Sequence, residues 1–113
     1  MSTHEDIKET INGLVDLLGN NGYDDYVKVL ERGLVELSSG DYTTLISNDI
    51  WGGAGSLADQ AFVDEDGQDS DKKSFKVLMG NLGEQLSRVG EDRNPRISFW
   101  VKFFRNKKEL GSE

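Results

Sequence analysis

The sequence predicts a mainly α fold, a compact single domain of four to five helices over residues 1–113. Three observations predict it. Apolar residues recur three and four positions apart over several long segments, the mark of helices with one buried face. Punctuation rich in glycine, asparagine and serine, such as "GNNG" and "SSGD", separates those segments. Cysteine is absent, so no disulfide frame exists and the fold must rest on a hydrophobic core, for which 113 residues suffice.

The first helix is expected over about 4–18. Thr3 with Asp6 suits a helix start, and Ile7, Ile11, Leu14, Val15 and Leu18 form its apolar stripe, which "GNNG" at 19–22 ends. The second carries Tyr23, Val27, Leu30, Leu34 and Leu37 at the same spacing. Asp24 and Asp25 stand near its start, where the helix dipole favours negative charge, and Gly40 in "SSGD" is its expected left-handed cap. Two helices joined by so short a turn predict an antiparallel hairpin.

A third, shorter helix is expected over Tyr42–Ile50, although its threonines weaken it. A glycine-rich corner follows at 52–55, and residues 57–63 read as one helical turn or a short extended piece. "DEDGQDSD", 64–71, holds five acids and no apolar residue, the composition of an exposed acidic loop. Ser70 or Ser74 then caps a long helix with Phe75, Leu78, Met79, Leu82, Leu86 and Val89 on one stripe. Gly80 and Gly83 each cost that helix up to ~1 kcal/mol relative to alanine, which points to a close approach by another helix.

The last segment supports two readings. Ile97, Phe99, Val101 and Phe103 alternate as in a strand, so 97–104 could be extended. Asn94 followed by Pro95 is a helix start, however, and Ile97, Trp100, Val101 and Phe104 share a helical face. Helix is favoured, with 105–113 a frayed tail.

Charge narrows the function. The net charge is −8, split into −13 over residues 1–71 and +5 over 72–113. Such a chain either pairs its halves internally or presents faces of opposite sign. The overall acidity argues against nucleic acid, whose phosphates need lysine and arginine, and fits a basic protein partner. No apolar run approaches the ~18 residues of a membrane span, and "MSTHEDIKET" is unlike a signal peptide. A cytoplasmic protein without a membrane partner is the expectation.

Little in the chain looks catalytic. His4 is the sole histidine and lies near a terminus, so no histidine-based triad or zinc site is expected. Acid pairs such as Asp24/Asp25 and Asp64/Glu65/Asp66 fit solvated or capping roles. A calcium loop begun at Asp64 would need glycine sixth and glutamate twelfth, where Asp69 and Phe75 stand. "GGAGSLAD" lacks the lysine of a phosphate-binding loop and the strand and third glycine of a dinucleotide site. No cofactor, metal or catalytic residue is therefore expected. The glycines read as a structural corner with Trp51 as its core anchor, Ser56 capping the next turn and Asp59 at the capping-box position. Part of a binding surface is its second role.

"WGGAGSLAD" resembles the GG-x-GS-x-x-D segment of a family of small bacterial helical domains of about this length. Two amphipathic helices precede the motif in them and a longer one follows, a layout shared over residues 5–90. Sequence likeness is confined to the dozen residues around Gly52–Asp59, and nothing after Arg93 has a counterpart. The resemblance implies an immunity-type protein, which binds and silences a toxin, and it implies no catalytic residues.

The expected function is thus a non-catalytic inhibitor, a monomer or homodimer, that occludes a basic toxin domain through an acidic surface. Asp24, Asp25, Tyr26, Trp51, Ser56, Asp59, Asp64, Glu65 and Asp66 are its candidate contacts, with Tyr23 and Tyr42 as further interface tyrosines. The alternative is a regulatory or interaction module. It would use the basic aromatic segment "RISFWVKFFRNKKEL" to bind a partner or an anionic membrane surface.

Overall fold

The computed structural model describes residues 3–52, 55–60, 69–91 and 93–111, as backbone alone at Thr3, Gln60, Asp69 and 105–111. It is mainly α, and no strand occurs among the described residues. In chain order the helices are α1 (Thr3–Asn20), α2 (Asp24–Leu37), α3 (Asn48–Trp51), α4 (Leu57–Gln60), α5 (Asp69–Arg88) and α6 (Pro95–Gly111). α1 packs on α2 and α5, α5 on α6, and the short α3 on α4 and α6.

Each long helix buries the stripe its spacing predicts. Ile7, Ile11, Leu14 and Leu18 of α1 are wholly buried, as are Leu30 of α2 and Met79, Leu82 and Leu86 of α5. The hairpin turn between α1 and α2 depends on Gly22, whose φ of 82° lies in the left-handed region. Asn21 braces that turn, its Nδ2 donating to Leu17 O at 2.8 Å and to Asp71 Oδ2 at 3.0 Å. Gly40 ends α2 with φ of 80°, and Asp41 N–H closes back on Glu36 O at 2.9 Å.

The expected helix over 42–50 is corrected to a run of turns ending in the one-turn α3. Carboxylates accept from the N–H groups of Thr43 and Thr44. Asp41 Oδ1 accepts from Thr43 N at 2.9 Å and from Thr43 Oγ1 at 2.6 Å, and Glu36 Oε1 accepts from Thr44 N at 2.9 Å. Thr44, almost fully buried, also donates its hydroxyl to Glu36 Oε2 at 2.8 Å. These bonds set Leu45 over Gly33 of α2, where an added Cβ would stand 2.5 Å from Leu45 Cδ2.

Both open readings resolve as helix. Leu57–Gln60 is a single helical turn, while 61–63 lie outside the described residues. The 97–104 segment belongs to α6: Ile97 and Phe104 are buried and Trp100 and Val101 half-buried, whereas Phe99 and Phe103 of the strand pattern face outward. Asn94 caps α6 as its type suggests, Oδ1 accepting from Arg96 N at 3.0 Å. Residues 69–71 of the expected acidic loop are instead the first turn of α5, which begins ahead of both Ser70 and Ser74. The rest of that loop lies outside the described residues. The backbone is helical as far as Gly111, within the expected tail.

Gly83 is the contact between α5 and α6. A Cβ there would collide with Val101 Cγ2 and sit 3.6 Å from Trp51 Cη2. Val101 is β-branched and stiff, so it cannot swing aside cheaply. Gly19, by contrast, is helical and exposed, with open space where an added methyl group would stand. Gly83→Ala is expected to destabilise the fold by roughly 1–2 kcal/mol, overpacking outweighing the helix-propensity gain. Gly19→Ala should stabilise it by up to ~1 kcal/mol. Urea midpoints that move the same way in both variants would refute this account.

Candidate functional site

The site is built from the corner after α3. Trp51, the last residue of α3, has no exposed surface. Its Nε1 donates to Leu45 O at 2.8 Å, and its own carbonyl accepts from Trp100 Nε1 at 3.0 Å. Gly52 follows because a Cβ there would lie 2.5 Å from Asn48 O. Gly55 has a different reason: its φ is 90°, with open space around it. Ser56 closes the corner, its Oγ donating to Gly52 O at 2.6 Å and accepting from Asp59 N at 3.2 Å. Ser56 is thus the side-chain cap of α4, as its position suggests. Gly53 and Ala54 lie outside the described residues.

α2 supplies the second wall. Tyr26 reaches across and donates its hydroxyl to Gly55 O at 3.0 Å. Tyr23 stands beside it, ring centroids 6.1 Å apart and planes tilted by 39°. Gly22, Tyr23, Asp24, Asp25, Tyr26 and Gly55 line an open pocket of about 420 Å³. Asp24 and Asp25, in the first turn of α2, are exposed at its edge.

Electrostatics ties Asp59 to the same place. Burial raises the Tyr26 phenol above the ordinary tyrosine value of 10.0, and the negative charges of Asp59 and Asp25, with Tyr23, push the same way. Carboxylates, a backbone carbonyl and two aromatic rings therefore meet at one surface. That set of groups favours a cation, such as a lysine or arginine side chain presented by another molecule.

Of the residues expected at a partner face, the fold brings Asp24, Asp25, Tyr26 and Asp59 together. Trp51 and Ser56 are buried at the corner. Asp64, Glu65 and Asp66 lie outside the described residues. Tyr42 packs half-buried against the core, apart from the pocket lining. Gly22 and the Gly55 carbonyl are contributors that escape sequence reasoning. A backbone oxygen has no side-chain signature, and the 29-residue gap to Tyr26 hides the pairing.

His4 is half-buried in the first turn of α1. Among the described residues no three histidine, cysteine, aspartate or glutamate side chains converge to hold a metal ion. No helix among them is long and apolar enough to cross a membrane. No protein-family model, curated protein or solved structure matches this chain.

Because the folded chain favours the neutral Tyr26 phenol, its contribution to stability is fully present below pH 10.0 and falls as pH rises from there through the raised folded value. Tyr26→Phe should abolish this alkaline loss, and should cost about 0.5–1.5 kcal/mol at neutral pH through the missing hydrogen bond. Phenolate absorbance provides the check. The late-titrating phenol of the parent chain should be missing from the variant.

Proposed function

We propose that this chain is a non-catalytic protein-binding domain that captures a basic protein, acting in the cytoplasm as an immunity-type inhibitor that silences a toxin by covering it. The observation that carries the reading is the meeting of Asp24, Asp25 and Asp59 with Tyr23 and Tyr26 at the Gly55 corner. Acidic groups speed and orient encounter with a basic surface, and tyrosine rings supply contact area at small entropic cost. The Tyr26 bond to the corner holds one ring in place before any partner arrives, which lowers the cost of docking.

Two further features support it. The pocket lining sets two carboxylates beside two tyrosine rings, groups that suit a basic side chain. The ion pair of Arg32 with Asp49, at 3.5 Å, stays within the acidic half, and that of Arg93 with Glu91, at 2.9 Å, within the basic half. Neither pair neutralises one half with the other.

Capture tests the reading. The immobilised chain, exposed to lysate of its source cells at low ionic strength, should retain a basic protein. That protein should be released as salt rises from about 0.05 to 0.5 M, where screening shortens to a few ångströms. The purified captive should lose its toxic activity when the chain is added back. Asp24→Asn with Asp25→Asn should weaken capture by about tenfold or more while circular dichroism stays unchanged. Capture indifferent to salt and to both substitutions would sink the proposal.

A further inference from the structure

We propose that the outer face of α6 docks on an anionic membrane surface. This inference is independent of the acidic corner and uses the opposite pole of the chain's charge.

α6 spends one side on the core, through Ile97, Phe104 and the Val101–Gly83 contact. Its other side carries two aromatic rings into solvent, Phe99 at 60% and Phe103 at 45% exposure. Four residues apart, they stand one above the other on the same face. Neither ring hangs loose. Each meets Trp100 edge-on, with centroids 5.2 and 5.3 Å away, and Trp100 in turn stacks on Phe104 at 5.5 Å. The rings are thus held outward from the core side.

The stretch of sequence that carries them is basic. Residues 95–108 contain Arg96, Lys102, Arg105, Lys107 and Lys108 and no acid, on a chain whose net charge is −8. Arg96 and Lys102 are exposed on the same side as the rings. Phenylalanines that can enter the boundary between headgroups and acyl chains, bordered by cations that can reach lipid phosphates, are the layout of a helix lying in a membrane interface. Lying there needs no spanning segment.

The structure disfavours other occupants. A symmetric second copy would set this cationic face against the same cationic face. A partner that recognises helices in a groove needs a free helix, and α6 has one side committed to α5. A bilayer surface asks only for one convex face.

Sedimentation of the full chain with lipid vesicles tests this. The chain should pellet with phosphatidylcholine vesicles containing ~30% phosphatidylglycerol and stay in solution with phosphatidylcholine alone, and binding should weaken with salt. Trp100 emission should shift to the blue on binding, whereas the buried Trp51 gives no response. Phe99→Ser with Phe103→Ser should reduce binding about tenfold or more with the helical spectrum kept. Arg96→Glu with Lys102→Glu, at exposed positions, should do the same and guards against loss of fold in the first variant. A parent chain that ignores anionic vesicles would overturn the proposal, and so would folded variants that bind as well as the parent. A concentration-dependent dimer abolished by the phenylalanine changes, with vesicles left unbound, would assign the face to a second copy instead.

Discussion

Burial of Trp51 is the constraint on which the rest of this structure depends. Its ring lies beside Gly83, its indole nitrogen ties down the preceding turn through Leu45 O, and its carbonyl receives Trp100 of α6. Three segments distant in sequence therefore meet on one residue. α5 can approach because Gly83 has no side chain, and α6 can approach because Val101 occupies that same gap. Truncating a buried tryptophan typically costs ~3–5 kcal/mol, a large share of the stability of a domain this size. The glycine-rich corner that follows Trp51 owes its position to that anchor.

Above the anchor the corner is gripped a second time. Tyr26 holds the Gly55 carbonyl from α2, while Ser56 fastens to Gly52 below. The residues of the proposed recognition face, Asp24, Asp25 and the two tyrosine rings, thus sit at the start of a long helix and against a fixed turn. Sites built on such elements hold their geometry better than sites on free loops. Packing at the corner would thus make the proposed surface reproducible.

Much of the fold is legible in the sequence because helical periodicity is a strong signal. Ile7 through Leu18 and Phe75 through Leu86 announce their buried faces directly, and Asn94–Pro95 correctly outweighs the alternation of Phe99 and Phe103. The turn segment departs from its expected helix for a physical reason. Tyr42–Ile50 has apolar spacing enough for a helix, yet the contacts that place it, Glu36 on Thr44 and Gly33 under Leu45, come from α2. Those contacts are tertiary and leave no local trace. Gly33 is equally silent, since only the arrival of Leu45 explains it. At the candidate site the acids and tyrosine of α2 can be read as a cluster from their adjacency. Their union with Gly55 and Asp59 requires the hairpin and the corner to be folded together.

Asn94 performs two tasks with one amide. Its oxygen starts α6, and its nitrogen bonds the carbonyl of Ile46 at 2.9 Å and Asn48 Oδ1 at 3.0 Å. The final helix is consequently clocked as well as capped: its rotation about its own axis is indexed to the turn before α3. One residue inserted just after Asn94 would advance that dial by about 100°. Ile97 would then swing off the interior and an outward ring would be carried toward it, so chain length at this joint is under tighter geometric control than the side chains that follow.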